Sequence, residues 1–273
     1  MKLVAVGVIR KFGRLGEVDP LKRADRPPIL ISAFDFTTDF KLKFLLAVVI
    51  TGVSPKSLGE SLATTIAAHS PALLILASRT PSKLQSVASN INTKHPNVRI
   101  TCIQVDFSSF PSVRHAASSI TSLLQKHGKK INILFNNAGI SIVERKLNEN
   151  GIELQFATNH LGPFLFTNLL LPLIKGRIVN TSSESHRISP VRFSDINQTP
   201  GVEVPADEEP RRGLPEGVLR GTEYEPDLAY GQSKTANILF AVGLNRRFGR
   251  EGVMSFACMP GSMYYTQAVS VMS

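Results

Sequence analysis

Asn159, Ser183, Tyr230 and Lys234, met in that order along a chain of 273 residues, are side chains suited to moving a proton. Tyr230 and Lys234 lie four apart, so on a helix both project from one face, and an ammonium beside a phenol lowers its pKa toward working pH. A tyrosine placed that way acts as acid or base near neutrality. Ser183 closes an apolar run, where its hydroxyl either donates to a substrate oxygen or caps a turn. Asn159 falls in a helical stretch, where its carboxamide either joins the same chemistry or bonds local backbone. Ser182 precedes Ser183 and, by strand alternation, points to the opposite face.

A second set suits a phosphorylated ligand. Thr51-Gly52-Val53-Ser54-Pro55-Lys56-Ser57-Leu58-Gly59 joins an apolar run to a helical one. A glycine-bearing strand-to-helix turn lets backbone N–H groups approach a pyrophosphate while the helix dipole favours its charge, which makes Gly52, Ser54, Lys56, Leu58 and Gly59 candidate binders. It is not a Walker loop, because Lys56-Ser57 follows Pro55 rather than glycine. The next apolar run ends in Ser78-Arg79-Thr80, with Lys83 one turn later. An acidic residue at that place holds the ribose 2′-hydroxyl of NAD, whereas arginine suits the 2′-phosphate of NADP. The lack of an acid here, with Arg79 and Lys83 present, favours NADP, although both cations also read as solvated charges at a helix start. Asp106 ends a third run, placed to accept from an adenine amino group or to cap the following helix.

Such side chains need a frame, and the chain alternates apolar runs with helical periodicity, the pattern of a parallel sheet covered by helices. Strands are expected over Leu45–Thr51, Ala72–Ser78, Val98–Val105, Ile131–Phe135, Gly176–Thr181 and Val253–Met259. Helices are expected over Ser57–Ala68, Pro81–Lys94, Ser109–His127, Asn150–Ile174 and Leu228–Phe248. The fold class is α/β, a Rossmann-like doubly wound parallel sheet with helices on both faces in one domain. Residues 187–227, rich in Pro, Gly and charge, form an irregular surface loop that is either a binding lid or solvated filler, with Phe193, Leu214, Leu219 and Tyr224 lining a pocket or pinning the loop.

Composition excludes some classes. The net charge of +10 comes without an arginine-rich run, aromatic platform or zinc spacing, so nucleic acid is not the expected partner and no metal site is read. Residues 1–26 carry seven Lys/Arg against three Asp/Glu, which places +4 of that charge in one stretch. The apolar run Phe44 to Ile50 is about a third of the roughly 20 residues that span a bilayer, so no membrane span is expected. Cys102 and Cys258 sit in apolar runs and read as reduced thiols, which fits the cytoplasm.

Taken in order, the Thr51-Gly52 loop, Asp106, Asn136-Asn137-Ala138-Gly139, Asn159, Ser183, Tyr230-x-x-x-Lys234 and Pro260-Gly261 resemble the short-chain dehydrogenase/reductase family over about residues 45–266. The runs 159–164, 182–186 and 230–237 resemble its retinol-dehydrogenase-like branch, fungal members especially. The resemblance implies an NADP-dependent oxidoreductase interconverting a ketone or aldehyde and an alcohol by hydride transfer, with a place in secondary metabolism. Tyr230 is then the general acid/base; Lys234 tunes it and bonds the nicotinamide ribose, Ser183 donates to the substrate oxygen, and Asn159 holds a water that links Lys234 to solvent. Asn137, Ala138 and Gly139 line the cofactor, as do Pro260, Gly261 and, more weakly, Thr266. A homodimer or homotetramer formed through the helices of Asn159 and Tyr230 is implied as well.

Three departures stand beside the matches. Lys56 occupies a position where relatives have glycine. The chain stops at Ser273, where relatives continue through a substrate-covering segment, a helix and a further strand, so a C-terminally truncated member lacking its last strand is expected. Residues 34–38 resemble the usual fungal beginning, which leaves 1–33 as an atypical extension to a domain over 34–273. The alternative is a catalytically inactive cofactor-binding module or a nonfunctional family member.

Overall fold

Apolar runs without polar alternation make strands covered on both sides, and the first two runs do so. In the computed structural model, which describes residues 46–210 and 224–260, β1 (Ala47–Thr51) is buried throughout and β2 (Leu73–Ser78) up to its last residue. With β3 (Ile100–Gln104), β4 (Ile131–Asn136), β5 (Ile174–Thr181) and β6 (Met254–Cys258) they form one parallel sheet in the order β3-β2-β1-β4-β5-β6. This is the doubly wound, Rossmann-like order, and it reverses direction between β1 and β4, where a crevice opens at the carboxyl ends.

The helices are α1 (Leu58–Ala67), α2 (Pro81–Lys94), α3 (Phe110–Lys126), α4 (Leu154–Phe156), α5 (Gly162–Leu170) and α6 (Pro226–Phe248). Strand alternation divides the core between them. Ala47, Val49, Leu73 and Ile75 face α3, α5 and α6, while Val48, Ile50, Leu74 and Leu76 face α1 and α2.

The single helix expected over Asn150–Ile174 is broken at both ends and in the middle. Leu147 bridges Glu153 around a turn, and the helix begins where the buried Glu153 carboxylate accepts from Gln155 N at 3.0 Å and Phe156 N at 2.6 Å. Ala157–Leu161 then form a π turn between α4 and α5. A 3-10 turn, Leu171–Leu173, ends the helix, and Ile174 already belongs to β5.

Over its described residues the irregular loop is docked rather than solvated filler. Gln232 on α6 accepts from Arg192 N at 3.0 Å and donates to Ile196 O at 2.8 Å, and Arg192 pairs with Asp195 at 2.8 Å. Tyr224 donates to Glu153 at 2.8 Å, so it pins the loop to the body, while Phe193, though largely exposed, is among the residues lining a cavity against α5 and α6. Leu214 and Leu219 lie outside the described residues.

Candidate active site

The first loop is built by close approach. Gly52 has φ +71° and a Cβ there would lie 2.6 Å from Ala138 Cα, so only glycine lets β1 and the residues after β4 meet at the crevice. A Cβ at Gly59 would strike the Gly52 carbonyl. Thr51 staples the two strands: its hydroxyl donates to Phe135 O at 3.1 Å and accepts from Asn137 N at 2.9 Å and Ala138 N at 3.0 Å. Asn137 Nδ2 donates to Thr51 O at 2.9 Å, so this side chain braces the loop.

At the head of α1, Ser57 is the N-cap; its hydroxyl accepts from Glu60 N and Ser54 N, both at 3.2 Å. Lys56 is exposed with φ +61°, a left-handed backbone that favours glycine, and its N–H donates to Glu60 Oε2 at 2.6 Å. The N–H groups of Leu58 and Gly59, in the first turn, have no acceptor within the helix and are the dipole's positive end. Ser-x-x-Glu is a capping-box spelling, so Ser57 and Glu60 were legible in the sequence although not singled out there.

Across the crevice, the end of β5 and α6 bring the candidate proton-handling residues together. Ser183 follows β5 and caps a 3-10 turn, Glu184–Arg187, with its hydroxyl accepting from Ser185 N at 3.3 Å. Ser183 is also hydrogen-bonded to Tyr230, which lies on α6 and is largely buried. Burial pushes the Tyr230 phenol up from its ordinary value, and the Ser183 bond opposes that rise. The downward shift expected from Lys234 is not what this arrangement gives: the ammonium stands over the ring, 5.1 Å from its centroid, instead of beside the oxygen. Lys234 is buried, and desolvation lowers its pKa to about 8. Its Nζ donates to Thr181 O at 3.3 Å. Ser182, as its alternation predicted, turns elsewhere and donates to Lys234 O at 2.9 Å.

Asn159 sits in the π turn. Its Oδ1 accepts from Ile140 N at 2.7 Å and its Nδ2 donates to Ile140 O at 2.9 Å and Ser233 Oγ at 3.0 Å, which holds the backbone after Gly139 against α6. A Cβ at Gly139 would lie 3.2 Å from Asn159 Oδ1 and 3.3 Å from Lys234 Nζ, so the glycine keeps a narrow space open above the ammonium. These residues suit a dinucleotide: glycines admit backbone to a pyrophosphate, a helix start faces it, and a buried ammonium has room for a further acceptor.

The remaining candidates spread around the same edge. Arg79 and Lys83 are exposed beyond β2, and Arg79 O accepts from Gln104 Nε2 at 3.2 Å. Asp106 Oδ1 accepts from Ser108 N at 2.9 Å and Ser108 Oγ at 2.6 Å, a local turn, while Ser109 is the N-cap of α3. Pro260 follows β6; Gly261 and Thr266 lie outside the described residues. Among the described residues no His, Cys, Asp or Glu cluster could hold a metal ion, and no helix is long and apolar enough to cross a membrane.

Residues 46–194 match the family model for short chain dehydrogenases. The chain belongs to the short-chain dehydrogenase family. It is 36% identical over 227 residues to oxidoreductase fscI of Fusarium equiseti, covering 79% of this chain and 86% of that protein. Retinol dehydrogenase 13 of Homo sapiens is 32% identical over 218 residues, 78% of this chain but 58% of its own length. Among solved structures, a metagenomic short-chain oxidoreductase in complex with NADP superposes with TM-score 0.58 at 20% identity, over 83% of this chain and 86% of the other, a likeness of fold. Like other short-chain dehydrogenases, this one is an oxidoreductase built on a nucleotide-binding sheet.

Proposed function

We propose that the protein is an NADP-dependent oxidoreductase that interconverts a ketone or aldehyde with an alcohol, with Tyr230 as the general acid/base. The observation that carries this reading is the convergence of Ser183, Tyr230 and Lys234 at the crevice, one hydroxyl bonded to the phenol and a buried ammonium over its ring. The cofactor, when bound, supplies or accepts the hydride. Gly52, Ser54, Leu58, Gly59, Ala138 and Gly139 would lie along it, with Arg79, Lys83 and Lys56 nearest a 2′-phosphate and Asp106 near adenine. Asn137 acts through the loop it braces. Lys234 would bond the nicotinamide ribose, which gives its ammonium an acceptor besides Thr181 O.

Tyr230 hands its proton to the substrate oxygen in reduction and takes it back in oxidation, while Ser183 donates to that oxygen and fixes its place. The raised phenol pKa keeps Tyr230 protonated at neutral pH, ready as an acid for carbonyl reduction. Lys234, near 8, is mostly charged there and close enough to neutral to pass a proton on, with Asn159 holding the neighbouring backbone. NADP over NAD is supported by Arg79 and Lys83 at the end of β2 and by the NADP of the metagenomic neighbour. The likeness to a Fusarium oxidoreductase accords with the fungal resemblance of residues 159–164, 182–186 and 230–237, from which a role in secondary metabolism is proposed.

The direct test titrates the full chain with NADPH and NADH, then screens carbonyl substrates. Saturable, NADPH-preferring binding is expected, and Arg79→Asp should reverse the preference; an unchanged ratio would put the 2′-phosphate elsewhere. Tyr230→Phe should bind NADPH normally and lose about 10²–10⁴-fold in turnover. Wild-type turnover in that variant would remove Tyr230 from the chemistry.

A further inference from the structure

Beyond Lys234, a line of hydrogen bonds runs away from the crevice. The Thr181 carbonyl, at the end of β5, accepts from Lys234 Nζ at 3.3 Å and also from Asn237 Nδ2 at 3.0 Å. Asn237 lies one turn after Lys234 on α6 and is buried. Since its Nδ2 donates to the carbonyl, its Oδ1 is the atom 3.1 Å from His160 Nδ1, which must therefore carry the proton. The His160 ring is itself held among aromatic rings, 5.3 Å from Phe156, 6.0 Å from Phe164 and 6.1 Å from Phe240. It lines a cavity of about 420 Å³ between α5, α6 and the irregular loop, on the outer side of the helices.

We propose that Asn237 and His160 are positioning residues for Lys234: His160 fixes the orientation of the Asn237 carboxamide, which fixes the Thr181 carbonyl that receives the ammonium. The inference rests on the catalytic reading of Lys234 given above. A carbonyl with two donors is held in one direction, whereas a strand-end carbonyl bonded by a single flexible lysine can swing with it. Burial then makes the direction matter, because an ammonium out of water depends on the few acceptors aimed at it. No sequence motif marks Asn237 or His160 for this part; the bonds come from elements 77 and 56 residues apart along the chain.

The experiment is an NMR titration of the ligand-free full chain carrying ¹³Cε-lysine, with the Lys234 signal assigned by its loss in Lys234→Met. The titratable neighbours facing Lys234 are Tyr230 from α6 and, through Asn237, His160 from the π turn; β5 contributes Thr181 O, and just after it the Ser182 hydroxyl bonds the Lys234 backbone carbonyl while Ser183 meets Tyr230. Asn237→Leu, which has the same size but no donor, should lower the Lys234 midpoint by about half a unit or more, because the ammonium loses a fixed acceptor. His160→Phe, which fills the ring cluster, should move it the same way by less, and His160→Asn, which retains a donor toward Oδ1, should leave it in place. The double variant should move it no further than Asn237→Leu, the sign of a shared line.

An unmoved midpoint in Asn237→Leu, or shifts that simply add, would overturn the proposal; should Asn237→Leu fail to fold, the His160→Phe and His160→Asn pair decides it. Turnover measured in parallel should fall about tenfold in Asn237→Leu with its NADPH KM little changed. The NMR midpoint requires no turnover, so a failure of the hydride-transfer reading, seen as an inactive wild type or an indifferent Tyr230→Phe, is read separately.

Discussion

Taking a charge out of water is costly, and Lys234 does so at the foot of the crevice. The unfolded chain keeps this proton up to about pH 10.5, while the folded chain releases it near 8. Between those values the unfolded state binds more protons, so folding stability rises with pH, by up to about 3 kcal/mol, and stays flat with respect to this group below 8. Tyr230 works in the opposite sense at higher pH, since its raised phenol is still protonated in the fold when the unfolded chain has ionised. Lys234→Met should therefore be more stable than wild type at pH 7 and lose the rise between 8 and 10. Urea denaturation across that range checks it, and an unaltered profile would mean the ammonium is solvated. On the proposed mechanism, the site keeps this destabilising residue for its proton chemistry.

At the level of the element, the head of α1 combines a cap with a binding place, and the two demands conflict. Glu60 satisfies Lys56 N, yet on the proposed cofactor placement its carboxylate stands beside the pyrophosphate's charge. Glu60→Gln should tighten NADPH binding about two- to fivefold, the scale of one charge at a helix start, while the melting temperature falls slightly. Weaker binding would show that the carboxylate orients the loop instead. Lys56→Gly relieves the left-handed backbone and should stabilise the fold by about 1 kcal/mol in denaturant titrations. β1 and β2 were legible as short apolar runs bounded by turn residues, and α1, α2 and α3 because their apolar residues recur with a period of 3.6. The helix of Asn159 was not: the π turn at Ala157–Leu161 shifts phase by a residue without disturbing composition, so apolar spacing alone reads it as continuous. Its local price is visible at Thr158, whose Oγ1 is buried with no partner among the described residues. Likewise Ser183 and Tyr230 were identified by spacing, but the position of the ammonium over the ring depends on tertiary burial that no spacing encodes.

On the scale of the whole molecule, the outer faces of α5 and α6 present Phe164, Leu239 and Val242, each at least 41% exposed, beside the cavity that His160 lines. We expect this face to pair with a second copy, and Leu239→Asp should convert a dimer to monomers in sedimentation velocity; a wild-type monomer at the same concentration would reject the pairing. The order of assembly is constrained more deeply. The Thr51 hydroxyl meets its partners 84 to 87 residues later in the chain, and Ser183 meets Tyr230 only after the irregular loop has been made. A chain emerging from the ribosome thus has β1, α1 and β2 long before it has a crevice, and nucleotide cannot assist until β4 docks. The first half must stay collapsed on its own apolar residues during synthesis, which gives Val48, Ile50, Leu74 and Leu76, with the helices laid over them, a duty in time as well as in space.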